Sequence, residues 1–260
     1  MPRAFLLLAA LLLSLAPARA AMEVDLALVI AVDVSNSMDP EEQELQREGF
    51  VAAFRDPVVH AAIERGALGR IAVVYMDWAG DFSRQVVVPW TVIDGAADAM
   101  AFAGALERAP NRRAPRTSIS GAIDLSMRLL AESGLDATRQ VIDISGDGAN
   151  NQGRSVVPAR AEALKAGVTI NGLPIMLKRP SSSWDVEKLD EYFRDCVIGG
   201  AGAFMIPIRE RAQFAEAVRT KIIREIADLR EPAPAVVTRA QAGATDCLTG
   251  ERQAEQWWRN

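Results

Sequence analysis

The chain has 260 residues, with 29 lysines and arginines against 34 acids, one histidine, two cysteines and a hydrophobic half. That apolar content excludes disorder and collagen-like repeats, and a pI near 5.1 argues against nucleic acid as a partner, since phosphates demand a basic face. A single histidine, His60, removes most His-dependent triads, and two cysteines cannot build a four-cysteine zinc site. The chemistry must come from carboxylates and hydroxyls.

Residues 1–20 have the form of an export signal: Arg3, an apolar run from Ala4 to Leu15, Pro17, then the small-x-small Ala18-Arg19-Ala20. The run is shorter than the about 20 residues that a membrane-spanning helix needs. Cleavage is expected after Ala20, and no cysteine follows that could carry a lipoprotein anchor. Losing two arginines leaves 27 bases facing 34 acids, a net charge of about −7. The mature protein is expected to be exported, periplasmic or secreted, with no membrane span.

Val24 to Val32 is apolar and rich in β-branched residues, the pattern of a strand buried on both faces, and it ends in Asp33. Pro40 and the acids after it open a helix that runs to Phe54. Strands are expected over Arg70–Met76 and Gln85–Trp90, the second at an edge because of Pro89. Helices over Asp94–Arg108 and Ile119–Ala131 precede a strand over Arg139–Ser145. A helix over Val157–Ala166 and a strand over Val168–Ile175 follow. Val186–Phe193 reads as helix, Ala203–Ile208 as a short strand, and Glu210–Leu229 as a long amphipathic helix. This alternation predicts an α/β fold: a Rossmann-like, doubly wound, mostly parallel sheet with helices on both faces. One domain is expected over 21–230, with 231–260 a tail packed on it or extending from it.

In such sheets ligands bind at the carboxyl ends of the strands. The first strand ends in Asp33-Val34-Ser35-Asn36-Ser37, a D-x-S-x-S that offers one carboxylate and two hydroxyls at alternate positions. A dinucleotide fold would have a glycine-rich loop here. Oxygen donors of this kind suit a hard cation, Mg²⁺, Mn²⁺ or Ca²⁺. Thr117 stands before the helix from Ile119, and Asp147 lies in Ser145-Gly146-Asp147-Gly148 after the next strand. Each motif also has an ordinary reading: Ser37 and Thr117 as helix N-caps, Asp147 as part of an Asp-Gly turn.

Taken together, these segments resemble the von Willebrand factor type A domain with its metal-ion-dependent adhesion site. Asp33, Ser35, Ser37, Thr117 and Asp147 fill all five motif positions, and the resemblance covers about Val24 to Leu229. It implies a divalent cation, Mg²⁺ foremost, with a coordination position open to an acidic residue of a protein partner. Gly146 departs from the family, where threonine is frequent. More narrowly, Ser145–Asn151 and Asp195–Gly200 resemble a group of exported bacterial von Willebrand A-like proteins of uncharacterised function.

Other residues have two readings. Asp143, inside a strand and about 13 Å from Asp147 at about 3.3 Å per residue, is expected to be structural. Asp77 and Asp81 either rim the site or sit in a solvated loop. Arg112, Arg113 and Arg116 are either solvated or a basic rim that steers acidic groups. His60 is expected on a helix, satisfied and not a ligand. Trp257 and Trp258 either pack or mark a binding patch. Export permits a Cys196–Cys247 disulfide.

Three functions follow: a non-enzymatic metal-dependent protein-binding module, a structural envelope protein with a stabilising metal, or a metal-assisted hydrolase. The last lacks a nearby histidine and a G-x-S-x-G.

Overall fold

The computed structural model describes residues 21–178, 186–227 and 245–259. The expected export signal and the Pro-rich stretch of the tail lie outside these residues, as do the side chains of Trp257 and Trp258.

Five strands form one sheet: β1 (Met22–Asp33), β2 (Ile71–Trp78), β3 (Arg84–Ile93), β4 (Leu135–Gly146) and β5 (Thr169–Pro174), in the order β3-β2-β1-β4-β5. β1 pairs in parallel with β2 and β4, and β5 in parallel with β4. β3 is antiparallel at one edge. Pro89, which cannot donate to a ladder, sits in that edge strand, beside a register shift.

Along β1, side chains alternate between two cores. Leu26, Leu28, Ile30 and Val32 enter one with α1 (Pro40–Arg55), α2 (Pro57–Glu64), α3 (Ala96–Arg108) and α7 (Phe214–Ala227). Ala27, Val29 and Ala31 enter the other with α4 (Ile119–Ala131), α5 (Val156–Lys165) and α6 (Leu189–Tyr192), which continues as a π-helical turn through Val197. The fold is thus the expected α/β sheet covered on both faces.

Several details differ from the sequence reading, among them a β4 that starts at Leu135 where Arg139 is expected and an α6 that starts at Leu189 where Val186 is expected. Ala203–Ile208 makes two isolated parallel bridges beside β5, Gly172 to Met205 and Ile175 to Ile208, and no continuous strand; Pro207 has no amide to extend the ladder. The helix expected from Glu210 starts at Phe214, after a 3₁₀ turn over Arg211–Gln213. The tail contains an amphipathic helix, α8 (Thr249–Arg259), where the sequence reading expects only a tail. Among the described residues no helix is long and apolar enough to cross a membrane.

Candidate metal centre

After β1 the chain goes to β2 on one side, and β4 arrives on the other. The carboxyl ends of β1 and β4, with Val32 opposite Ser145, are therefore the point where strand order reverses. Asp33 closes β1, and its Oδ1 accepts from the Ser35 amide at 2.7 Å, folding the chain into a tight turn. The Ser35 and Ser37 hydroxyls lie 2.8 Å apart, and Ser37 Oγ donates to Asp147 Oδ1 at 2.6 Å. Asp33 and Ser35 are buried.

The capping alternatives fail for both hydroxyl residues. Asp39, not Ser37, caps α1, accepting from the Glu42 amide in a capping box. Ser118, not Thr117, caps α4, accepting from the Gly121 amide. Ser37 and Thr117 thus keep their hydroxyls for other partners. Thr117 is clasped to the loop after β4: its amide donates to Asn151 Oδ1 at 2.9 Å, and its carbonyl accepts from the Asn151 amide at 2.8 Å. A methyl group on Gly148 would stand 3.9 Å from Thr117 Oγ1, so that hydroxyl faces the residue after Asp147.

Two cations hold the D-x-S-x-S turn from outside. Arg113 Nη2 donates to the carbonyls of Asn36 and Met38 at 2.7 and 2.9 Å. Lys178 Nζ donates to the Ser37 carbonyl at 2.5 Å and pairs with the buried carboxylate of Glu42. Arg113 is exposed, as the solvated reading expects, and its guanidinium also clamps the turn. Lys178 carries no motif signature that would single it out in the sequence.

The electrostatics of the pair of aspartates fit a cation. Burial, reinforced by the Asp147 charge, pushes the Asp33 carboxyl well above the usual range. Burial also raises Asp147, to about 6, against the hydrogen bond from Ser37 and the Lys178 charge. Asp33 Oδ2 is buried without a hydrogen-bond partner, a costly state for a polar atom in a protein interior. Two carboxylates crowded with hydroxyls, one carboxylate oxygen unpartnered, make a donor set suited to a hard divalent cation. No group of three or more histidine, cysteine or acidic side chains with metal-binding geometry occurs among the described residues, so a metal held here would depend on the hydroxyls.

The remaining candidates resolve as follows. Asp77 is not in a loop: it lies inside β2, 3% exposed, 3.4 Å from Arg47. Its carboxyl is pushed up to about 6 by burial, against the charges of Arg47 and Arg112. Asp81 accepts from Ser118 Oγ at 3.0 Å and anchors the turn between β2 and β3, whose Phe82 is 96% exposed. Arg116 takes a left-handed φ of 74°. His60 is buried on α2 with Nε2 2.8 Å from the Phe54 carbonyl, a satisfied residue.

Residues 23–230 match a family described as "Protein of unknown function (DUF1194)". The chain belongs to that family. No curated protein matches the sequence of this DUF1194 protein. Among solved structures, its fold is similar to proximal thread matrix protein 1 of the mussel byssus (TM-score 0.56, 13% identity, 79% of this chain and 48% of that one). A second structure of that protein is described as having a zinc-occupied MIDAS motif (TM-score 0.53, 11% identity, 77% and 45%). The pilus adhesin SpaC of Lactobacillus rhamnosus GG is similar at TM-score 0.58 and 12% identity over 78% and 31%. A von Willebrand factor type A protein of Catenulispora acidiphila is similar at 0.51 and 17% over 78% and 43%. At these identities the likeness is one of fold: the DUF1194 chain has a von Willebrand A-type fold and spans less than half of each of those chains.

Proposed function

We propose that this DUF1194 protein is an exported, metal-dependent protein-binding module. A divalent cation, Mg²⁺ foremost and Mn²⁺ or Ca²⁺ as alternatives, is held by Asp33, Ser35, Ser37, Thr117 and Asp147. The observation that carries this reading is the buried, unpartnered Asp33 Oδ2 beside the chain of hydrogen bonds from Ser35 through Ser37 to Asp147. The zinc described at the MIDAS motif of the mussel protein adds that this fold can hold such an ion.

The charge balance indicates what the cation does. Two carboxylates only offset a divalent ion, and three neutral hydroxyls add no charge, so the bound ion still attracts one more anion. An acidic side chain of a partner protein supplies it. Phe82, on a turn anchored through Asp81 to Ser118, offers that partner an apolar contact beside the charge.

A structural envelope protein with a purely stabilising metal is the second reading. A hydrolase is disfavoured because the single histidine, His60, is engaged with the Phe54 carbonyl and supplies no base to the site.

Calorimetry on the mature protein tests the site. One Mg²⁺ or Mn²⁺ should bind per chain, and Asp33→Ala and Asp147→Ala should each abolish it; unchanged affinity in both variants refutes the assignment. Pull-down from the native envelope, with and without chelator, separates binding module from structural metal.

A further inference from the structure

We propose that the C-terminal segment is a strap that positions the metal-site loops, with Glu251 as its positioning residue; this rests on the metal site proposed above. The strap lies beyond residues 23–230, the region matched to the family. It is fastened by the Cys196–Cys247 disulfide to the π-helical turn after α6. Thr245 Oγ1 adds a hydrogen bond to Asp195 Oδ2 at 2.5 Å.

So fastened, α8 lays its first turn on the loop that follows Asp147. Any side-chain carbon on Gly250 would collide with the Asn150 carbonyl, so helix and loop are in direct contact. Glu251 Oε1 accepts from Asn150 Nδ2 at 2.9 Å. Asn150 is fully buried and every part of its amide is engaged. Nδ2 also donates to the Arg154 carbonyl at 3.1 Å, and Oδ1 accepts from the Ser120 amide at 3.0 Å. The Asn150 backbone amide donates to the Tyr192 hydroxyl at 3.1 Å.

These bonds fix which way the amide faces. A carboxylate can only accept, so Glu251 demands Nδ2 on its side and leaves Oδ1 for Ser120. A flipped amide would set two donors against each other at Ser120 and two acceptors against each other at Glu251. Ser120 lies in the first turn of α4, three residues after Thr117. Asn151, next to Asn150, bonds both the amide and the carbonyl of Thr117. Glu251 thus acts on the relative placement of Asp147 and Thr117 without touching either. An ionised acceptor strengthens the bond, and a site held in its binding geometry costs a ligand less to order.

The test uses full-length mature protein in four forms: wild type, Glu251→Ala, Glu251→Gln, and Cys196→Ser with Cys247→Ser. Hydrogen–deuterium exchange without metal reads the strap directly. Glu251→Ala should speed exchange of the Ser120 and Asn151 amides while β1 and β4 stay protected. Calorimetry with Mn²⁺ should show affinity about 5-fold weaker, less than the loss on removing a direct partner of a metal ligand, because Glu251 acts through Asn150. Glu251→Gln keeps an acceptor at Oε1 and should restore both readouts to within about twofold. The double serine variant should move exchange in the same direction as Glu251→Ala, and it replaces that variant should the alanine protein not fold. Exchange at Ser120 and Asn151 equal to wild type in Glu251→Ala and the double serine variant overturns the strap. Absence of Mn²⁺ binding by wild type would overturn the metal site instead, and the exchange result would still decide whether Glu251 orders these loops.

Discussion

Gly146 lies against Asp33: a methyl group at residue 146 would stand 2.9 Å from Asp33 Oδ2 and 3.4 Å from Trp78 Cη2. Both neighbours are buried. The departure from the threonine frequent in von Willebrand A domains therefore has a steric cause, because the Asp33 carboxylate occupies the space a side chain would need. Gly146→Ala should displace that carboxylate and cost about 1–3 kcal/mol, the range for overpacking a well-packed core. Gly146→Thr should cost more. Urea denaturation and Mn²⁺ calorimetry check this, and an alanine variant with wild-type stability and affinity would contradict it.

Metal should stabilise the fold by mass action. At ten times Kd, binding to the folded state alone is worth about 1.4 kcal/mol, a rise of about 3–6 °C in melting temperature for a domain of this size. Asp33→Ala and Asp147→Ala should lose this rise whatever their metal-free stability. Ser35→Ala should shrink it without removing it, because it takes away a neutral donor and no charge. Differential scanning fluorimetry with Mg²⁺ or EDTA gives the comparison.

Much of this was legible from local pattern. The apolar run of β1, its stop at Asp33 and the alternation of strands with helices give the α/β sheet, and the helix bounds Ile119 and Ala131 coincide with those of α4. The D-x-S-x-S, Thr117 and Asp147 readings brought together residues that meet at one sheet edge. Other features depend on tertiary contacts that leave no periodicity. Asp77 is an acid inside a strand, tolerated because Arg47 reaches it from α1. Lys178 is an isolated lysine until the β5 loop brings it over the Ser37 carbonyl. α8 is polar overall but strongly amphipathic, a docking signal that the sequence reading missed, and its place is set by a disulfide and one carboxylate that local pattern does not encode.

The Cys196–Cys247 bridge spans 51 positions. Chain-entropy arguments give such a closure about 4 kcal/mol of stability, an upper figure that is often not fully realised. Reduction should therefore lower the urea midpoint and raise the slope, because the uncrosslinked unfolded chain is less compact. Titration of two free thiols in unfolded, unreduced protein would show that the bridge does not form.

Behind the sheet edge, a charged triad is sealed between β4 and α7. Asp143 Oδ1 and Glu225 Oε1 lie 3.0 and 2.8 Å from Lys221 Nζ, and Asp143 and Lys221 are each 1% exposed. From β5, Asn171 Nδ2 donates to Glu225 Oε2 at 2.7 Å, and Arg139 bonds the carbonyls of Glu225 and Ile226. One cation thus serves two buried carboxylates. Burial pushes the Asp143 carboxyl up to about 6; the Lys221 charge opposes the rise and the Glu225 charge adds to it. Since the folded value exceeds the ordinary 3.8, the native state holds this proton more tightly than the unfolded chain. Stability from Asp143 is therefore complete below about pH 4 and is lost as pH rises through about 6. Asp143→Asn removes that titration and leaves Lys221 paired with Glu225, so its stability relative to wild type should improve steadily between about pH 4 and 7. Lys221→Met strands both carboxylates and should cost about 3–5 kcal/mol at pH 7.5, with a smaller loss at pH 4.5 where Asp143 takes up a proton. Urea denaturation at both pH values, in EDTA to keep the metal site silent, measures all three proteins. A difference between Asp143→Asn and wild type that does not change with pH would show that Asp143 does not titrate in this range.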